Sequence, residues 1–413
     1  MATVEEHQRA VRALLEPLSA RPPEVVELGV RVGQTPRVLA IDLVTPVDHP
    51  PFDNSQMDGY AVRRGDVVPG AALRVAPHIA AGHSGGELRP GWAAPIMTGA
   101  PVPQGADAIV PIEAATPDRF LPDDSGGEVA FAATPAPGAF VRQRGSDLAA
   151  GALLLPRGTR LGAAQWGVIA ASGIRSVPVL RSLRVLVLST GDELRSPGEP
   201  LGPGQIYDAN STTMSVALAG AGAIVADART VSDDAAAVRA LLGSVAPGVD
   251  LILTTGGVSK GAYEVVRDVF EGAGVSFSSV AMQPGGPQGL GLATLEDERG
   301  DAFTVPVVAF PGNPVSALVS FEMFLRPVLR ALHGLVPDRP VLQAPLAAPL
   351  ESPPGKHQVR RGRFDARGFV ELVGGPSSHL LHGYASSALL VHVPVGVGRL
   401  DAGSVVEVWV IDE

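Results

Sequence analysis

The sequence predicts a multidomain α/β protein with a central, mostly parallel α/β sandwich. Three observations favour this fold class. The chain has 413 residues, and single hydrophobic cores rarely extend beyond roughly 250–300 residues. Between 184 and 334, short apolar runs alternate with helical runs, the pattern of a parallel sheet covered by helices on both faces. On either side of this region, short apolar runs are separated by Gly and Pro, as in β-rich domains.

The N-terminal part is expected to combine helices with a β-rich domain. In "MATVEEHQRAVRALLEPL" the apolar residues fall roughly on one helical face. From 38 to 140 the spacing is that of short strands and turns, with "DDSGGE" as an exposed hairpin tip. A helical run, "GAAQWGVIAASG", follows. We therefore expect 1–37 and 141–180 to form a helical and linker domain in two pieces, and 38–140 to form a β-rich domain.

The central region is expected to form an α/β domain over 181–335. Its predicted strands are "RVLVLST", "AIVADART", "DLILTT", "VSFSSVAM" and "FTVPVVAF". Asn210 or Ser211 is the expected N-cap of the helix after the first strand. Pro327 is expected to kink the long closing helix. The short strand-like runs after 335 predict a small β-domain over 336–413.

Composition excludes several classes of partner and site. The formal net charge is −10 and no run of Lys or Arg occurs, so neither nucleic acid nor an anionic membrane is a predicted partner. The chain has no Cys, which excludes disulfides and thiolate metal sites. No apolar run approaches the ~18 residues of a membrane span. These features predict a soluble, cytoplasmic protein.

The segments that follow the predicted strands favour an anion site. "GDELRSPGEPLGPGQIYDAN", "GGVSKG" and "PGNPVS" each follow a strand and precede a helix. The first backbone N–H groups of a helix favour phosphate or another oxyanion. Asp192, Glu193 and Asp208 lie in the first of these segments, Asp233 and Asp234 open a helix, and carboxylates beside a phosphate site suit Mg²⁺. The simpler alternative is that these residues only make turns and helix caps.

Three other motif matches do not predict their usual sites. Gly257–Gly261, "GVSKG", fits the strand–turn–helix pattern of a nucleophile elbow, but no upstream oxyanion loop accompanies it. "GAG" at 220–222 ends a helix, so it is not a dinucleotide fingerprint. His379 and His382 lack the partners of a zinc site and are expected to be ordinary surface histidines.

Five motifs in order identify a family. "PPFDNSQMDGYAVR" and "IMTGAPVPQGADAIVPIE" are followed by "STGDELRSPGEPLGPGQIYDAN", "TTGGVSKGAYE" and "FPGNPVSA". Together they resemble the molybdopterin molybdenumtransferases, the MoeA and gephyrin E-domain family. The resemblance implies an elongated N-terminal α+β part, a molybdopterin-binding α/β domain and a C-terminal β-barrel domain.

The same resemblance implies an activity. A homodimer with its active site between subunits would act on adenylylated molybdopterin and molybdate. It would require Mg²⁺, yield molybdenum cofactor and AMP, and contact a molybdopterin adenylyltransferase.

The resemblance also assigns roles to individual positions. Three acids are expected to hold the metal: Asp58, Glu193 and Asp233. The expected catalytic residues are Asp58, Thr98, Asp147, Glu193, Asp233 and Glu264. Residues expected to bind the pterin phosphate, nucleotide or molybdate are Gly256, Gly257, Ser259, Gln283, Pro311, Asn313, Pro314 and Ser316.

One stretch departs from the family pattern. Where the family carries lysines, "FSSVAMQPGGPQGLG" has Ser279, Gln283 and Gly286. The chain has two lysines in all, yet a bias against lysine predicts Arg rather than Gln or Gly. We expect a mostly neutral anion site, with charge supplied by Lys260 and by the arginines at 360, 361 and 363. The alternatives to an active enzyme are a non-catalytic paralogue that binds molybdopterin or a nucleotide, and a scaffold protein. The sequence does not distinguish molybdate from tungstate as the oxyanion that is inserted.

Overall fold

The computed structural model describes residues 1–29, 35–83, 85–122, 126–258 and 265–412. The chain divides into two compact units. One consists of Met1–Ala40, Gly158–Gly162 and Val177–Glu413, and the other of Ile41–Arg157 and Ala163–Ser176. The predicted α/β domain and the predicted C-terminal β-domain both belong to the first unit. No helix among the described residues has the length and apolar character needed to cross a membrane.

The described α-helices are mostly short. They are α1 Val4–Leu15, α2 Ala163–Ala171, α3 Ala209–Gly220, α4 Ala235–Val245, α5 Val265–Phe270, α6 Pro314–Ser320, α7 Arg326–Leu332 and α8 Leu381–Ala385.

The strands up to the central domain are β1 Glu24–Glu27, β2 Leu43–Val44, β3 Asn54–Ser55, β4 Gly59–Val62, β5 Ala72–Val75, β6 Trp92–Ile96, β7 Ala108–Pro111, β8 Ala115–Thr116, β9 Glu128–Phe131, β10 Val141–Arg142, β11 Leu153–Leu155 and β12 Ser176–Val179. Those of the central domain are β13 Arg184–Thr190, β14 Leu194–Arg195, β15 Ile206–Tyr207, β16 Ile224–Val231, β17 Leu251–Thr255, β18 Val275–Ser279, β19 Met282–Gln283, β20 Pro287–Glu296 and β21 Ala302–Phe310. The remaining strands are β22 Val341–Pro345, β23 Leu350–Glu351, β24 His357–Phe364, β25 Val370–Leu372, β26 Leu389–Val393, β27 Arg399–Leu400 and β28 Val405–Val410.

The central sheet has the order β16-β13-β17-β21-β20-β18. The first four strands are parallel, whereas β20 pairs antiparallel with β21 and with β18. The predicted strands do not include β20, which begins at Pro287 within "VAMQPGGPQGLG". Proline is tolerated at the first residue of a strand, where Pro287 stands. Gly289 and Gly291 have no side chains, so β20 begins without the alternation of side chains that identifies a strand in a sequence.

Both faces of this sheet are buried. On β13, Val185 and Val187 belong to one apolar cluster with α3 and α6, and Leu186 and Leu188 belong to another with α4 and α5. Alternate side chains of a strand point to opposite faces, so an almost continuous apolar run marks a strand covered on both sides. This is the reason that the run "RVLVLST" predicts a buried parallel strand.

Helix ends differ from two expectations. The N-cap of α3 is Asp208, which accepts from Ser211 N, so the prediction of Asn210 or Ser211 is wrong. An Asp is as good an N-cap as an Asn, and the cap lies two residues before the expected position. The closing helix is interrupted by a π-helix at Phe321–Leu325, and Pro327 lies in the first turn of α7 rather than at an internal kink.

The C-terminal strands form a curled sheet with the order β19-β24-β26-β28-β22, and β25 also pairs with β24. An isolated bridge joins Leu346, directly after β22, to Val370 of β25. The sheet is therefore nearly closed around an apolar core that includes Leu346, Val391 and Val408.

The second unit is built on a sheet with the order β7-β4-β6-β5-β9-β8. Apolar clusters line both faces of β4, with Tyr60 and Val62 on one side and Ala61 on the other. This sheet holds the two signature segments that contain Asp58 and Thr98.

Candidate functional site

A cleft lies at the carboxyl ends of β13 and β16. It has a volume of about 450 Å³ and is lined by Gly191, Asp192, Leu194, Arg195, Ser196, Glu199, Thr230, Val231 and Ser232. The backbone N–H of Asp233 donates to Asp192 Oδ1 at 3.1 Å, so the loop after β13 and the loop after β16 meet here. Glu193 is exposed and Asp233 is half-buried. The structure thus brings these two predicted acids to adjacent loops.

Arg195 supplies positive charge to this cleft. Its Nη1 donates to the backbone oxygens of Leu194 at 2.6 Å and Asp192 at 3.1 Å, which holds the guanidinium against the loop. A fixed guanidinium suits phosphate because its donors are preorganised. Sequence reasoning missed this residue, and the available signal was a basic side chain directly after the acids of "GDEL".

The loops after β17 and β21 touch each other. Gly256 and Gly257 have φ of 98° and 61°, in the left-handed region that favours glycine. A Cβ added to Gly312 would lie 3.2 Å from Gly256 Cα, so side chains are excluded where the two loops meet. Asn210 Nδ2 donates to Gly312 O at 2.7 Å and ties α3 to the same place. The predicted glycines and the Pro311–Pro314 segment are therefore neighbours.

Polar atoms without partners lie beside this contact. Thr190 Oγ1 and Asn210 Oδ1 are buried and have no hydrogen-bond partner among the described residues. A Cβ added to Gly256 would come within 3.1 Å of Thr190 Oγ1. Buried polar groups in proteins are nearly always satisfied. These two atoms therefore fit a polar ligand at the carboxyl edge of the sheet.

Gln283 lies at the same edge, in the turn that joins β18 to β20, because Ser279 pairs with Pro287 and Gly289 pairs with Ala309 near the end of β21. It pairs with Gln358 in the β19–β24 ladder, and its Oε1 accepts from Gln358 Nε2 at 2.8 Å. A Cβ on Gly285 would lie 2.9 Å from Ser320 Oγ and 3.5 Å from Ser316 O, so this turn packs on α6. The structure therefore brings the Gln283 turn to Ser316.

Two buried arginines follow Gln358 on β24. Arg360 is 8% exposed and Arg361 is 1% exposed. Arg361 Nη2 donates to Gly375 O, while its Nε and Nη1 have no partner among the described residues. Desolvation by burial is the main cause that lowers the pKa of both side chains. Buried guanidinium donors without an acid are suited to an anion. Arg363 instead pairs with Glu371 at 2.9 Å on the surface.

The second unit holds Asp58 and Thr98 in contact. Asp58 Oδ1 accepts from Thr98 N at 2.7 Å and from Thr98 Oγ1 at 2.8 Å. These bonds, the backbone one first, lower the pKa of Asp58 below its ordinary value. Asp58 is exposed, so an ionised carboxylate held by Thr98 faces solvent.

Asp147 lies in a loop that is fixed to the first signature segment. Its N–H donates to His49 O at 2.9 Å, and Arg144 N donates to Asp53 Oδ1 at 2.7 Å. Asp147 itself is exposed. The predicted catalytic residue Asp147 is thus attached to the segment that leads to Asp58.

Two predicted site residues, Ser259 and Glu264, lie outside the described residues, as does Lys260. Within the described part of one chain, no group of three or more His, Asp or Glu side chains is arranged to hold a metal ion. The predicted metal set, which belongs to both units, stays a prediction.

Comparison with known proteins decides the family. Residues 2–173 match the MoeA N-terminal region (domain I and II), 186–331 a probable molybdopterin binding domain, and 343–411 the MoeA C-terminal region (domain IV). Molybdopterin molybdenumtransferase 2 of Mycobacterium tuberculosis is 46% identical over 99% of both chains. The chain belongs to the MoeA family of molybdopterin molybdenumtransferases. The resemblance of its motifs to that family is confirmed.

Other MoeA-family proteins agree. The molybdopterin molybdenumtransferase of Haemophilus influenzae is 34% identical over 90% of both chains. A crystal structure of the molybdopterin biosynthesis MoeA protein of Pyrococcus horikoshii superposes with a TM-score of 0.74, at 29% identity and full coverage of both chains. The prediction of a multidomain MoeA fold is confirmed at this level.

Proposed function

We propose that this protein is a molybdenum insertase of molybdenum cofactor biosynthesis. It transfers molybdate into adenylylated molybdopterin and releases AMP. The observation that carries the proposal is the meeting of four loops at one sheet edge, those of Glu193, Asp233, Gly256 and Pro311, in a chain whose full-length relatives are named molybdopterin molybdenumtransferases. The unpartnered Thr190 hydroxyl, which can donate, and the Arg195 guanidinium support a phosphate-bearing ligand at this edge.

We further propose Mg²⁺ as the metal. Asp58, Glu193 and Asp233 would hold it, because carboxylate oxygens are hard ligands and all three side chains are exposed or half-buried. The ion would neutralise phosphate charge and orient the nucleotide. Since Asp58 lies in a different unit from the other two acids, the proposal includes a homodimer that completes the site between subunits. A cytoplasmic location and contact with a molybdopterin adenylyltransferase complete the proposal.

Molybdate would be received near the neutral Gln283 turn. The Gln283 carboxamide is anchored through its Oε1, and buried Arg360 and Arg361 follow Gln358 on the adjoining strand. Consecutive residues of β24 point to opposite faces, so Arg360, on the face of Gln358, would supply the charge-assisted bonds that replace those of the missing lysines. Gln283→Glu keeps the side-chain size and adds a negative charge, so molybdate saturation should need at least tenfold more molybdate. Gln343→Glu, on exposed β22, is the matched control. Equal molybdate dependence in both variants contradicts this part.

The deciding experiment is AMP release from adenylylated molybdopterin with Mg²⁺, measured with and without molybdate. Molybdate-dependent release supports the insertase. Tight substrate binding without release at any molybdate concentration supports a non-catalytic binding protein instead. The same assay with tungstate identifies the preferred oxyanion.

A further inference from the structure

One buried carboxylate joins three strand ends to a helix at the carboxyl edge. Asp208, which is 2% exposed, accepts from Ser189 Oγ at 3.2 Å, from Thr230 Oγ1 at 2.7 Å and from Ser211 N at 3.0 Å. Ser189 Oγ also contacts Thr255 Oγ1 at 3.1 Å. The polar side chains are therefore linked in one chain, from β16 through Asp208 and β13 to β17.

The register of the strands aligns the hydroxyl residues of this network. Ser189 is opposite Thr230 in the β13–β16 pair and opposite Thr255 in the β13–β17 pair. The three hydroxyl residues form one row across three parallel strands, on the face that α3 covers. Asp208 is the N-cap of α3 and so lies over this row.

The carboxylate also fixes the direction of the hydroxyl groups. An ionised carboxylate only accepts hydrogen bonds, so Ser189 and Thr230 donate to Asp208. A hydroxyl has one proton, so Ser189 can only accept from Thr255. Thr255 therefore keeps only lone pairs for any further partner.

Each strand end in this row leads directly into a loop of the candidate site. Gly191 follows β13, Ser232 follows β16, and Gly256 follows β17. Asn210, two residues after Asp208, extends the link to Gly312 after β21. A substitution of Asp208 would therefore alter the position of each of these four loops.

We propose that Asp208 is a positioning residue that holds the ligand-binding loops in register through its negative charge, beyond its role as a helix cap. The identity of the ligand rests on the proposed function. Asn caps helices as well as Asp does, so Asp208→Asn keeps the bond to Ser211 N. Its Nδ2 would replace the acceptor that faces Thr230, so the Thr230 hydroxyl would have to turn and accept, and the order of donors along the row would change.

The test compares Asp208→Asn with Asp234→Asn. Asp234 caps the neighbouring helix α4 by accepting from Ala236 N at 2.9 Å, and it is exposed. We expect Asp208→Asn to raise KM for adenylylated molybdopterin at least tenfold with kcat within threefold of wild type. Asp234→Asn should change KM less than twofold. A merely destabilised protein would lose active molecules, which lowers kcat and leaves KM unchanged.

Ser189→Ala is an independent test because it removes the bonds of Ser189 to Asp208 and Thr255 but leaves the bond between Ser211 N and Asp208 in place. It should raise KM as well, and the double variant with Asp208→Asn should not exceed the larger single effect. Unchanged KM in Asp208→Asn, or additive effects, overturns the proposal.

Hydrogen–deuterium exchange keeps this test separate from the proposed function. If wild-type protein releases no AMP, the proposed function fails. Faster exchange over 191–199 and 256–258 in Asp208→Asn, relative to Asp234→Asn, would still support positioning. Equal exchange in both variants would overturn it.

Discussion

Replacing His333 by Gln should flatten the pH dependence of folding stability below about pH 6.5. His333 is 3% exposed and caps the end of α7. Its Nε2 accepts from Leu183 N at 3.0 Å. Its Nδ1 therefore carries the proton and donates to Ala221 O at 3.0 Å. One neutral imidazole thus joins the residue before β13 to the end of α3.

The magnitude follows from the shifted pKa. Desolvation by burial lowers the pKa of His333 from 6.5 to about 4. As pH falls, the unfolded chain binds a proton before the folded chain does. The stabilisation is therefore complete above about pH 6.5 and is lost as pH falls toward 4. At about 1.4 kcal/mol per pKa unit this amounts to ~3 kcal/mol in all, of which ~2 kcal/mol is lost between pH 7 and pH 5.

The assay is urea unfolding at pH 7 and pH 5. Gln carries one acceptor and one donor, so His333→Gln can keep both contacts without titrating. Wild type should lose ~2 kcal/mol more than His333→Gln over this interval. Other buried histidines contribute equally to both proteins and cancel in the difference. His382→Gln, at an exposed position, should follow wild type. Equal losses in wild type and His333→Gln would refute the reasoning.

Three further predictions concern the site. Arg195→Gln should weaken binding of the phosphate-bearing substrate by about tenfold and reduce its salt dependence, and titration calorimetry at two salt concentrations checks this; unchanged affinity would exclude Arg195 as a phosphate contact. Thr98→Ala removes one of the two hydrogen bonds to Asp58 Oδ1, so the pKa of Asp58 should rise partway toward its ordinary value. NMR of the carboxyl carbon measures this pKa, and an unchanged value would show that the backbone bond alone lowers it. Gly257→Ala places a Cβ 3.0 Å from the Val266 backbone nitrogen at a φ of +61°, so it should destabilise folding by at least ~1–2 kcal/mol in urea unfolding; wild-type stability would mean that this loop relaxes freely.

The sequence patterns predicted the parallel part of the central sheet and most loops of the site. Continuous apolar runs such as "RVLVLST" and "DLILTT" are strands buried on both faces, and they occur as β13 and β17. Loops that follow parallel strands must lie at one sheet edge. This rule predicts that Glu193, Asp233 and Gly256 lie at the same edge.

Features that depend on tertiary packing were not predicted. β20 was not predicted because its first five residues, "PQGLG", lack the β-branched and aromatic side chains that are typical of strands. It is a strand because it pairs with β18 and β21. The sequence placed Asp208 among the acids that suit Mg²⁺, and its capping role was not predicted because the pattern of the helix favoured caps two residues later. Its role depends on the register of three strands, which no local pattern records.

The neutral turn at Gln283 is better explained as a matched alternative than as decay. Gln283 gives Gln358 an acceptor at 2.8 Å. A lysine at 283 has no acceptor to offer, so Gln358 would keep a bond here only by turning its Oε1 toward the lysine. It would also add a positive charge to the strand that precedes the turn, beside a strand that already buries Arg360 and Arg361. Gln283 therefore supplies the acceptor that Gln358 Nε2 uses, while Gln358 Oε1 has no partner among the described residues.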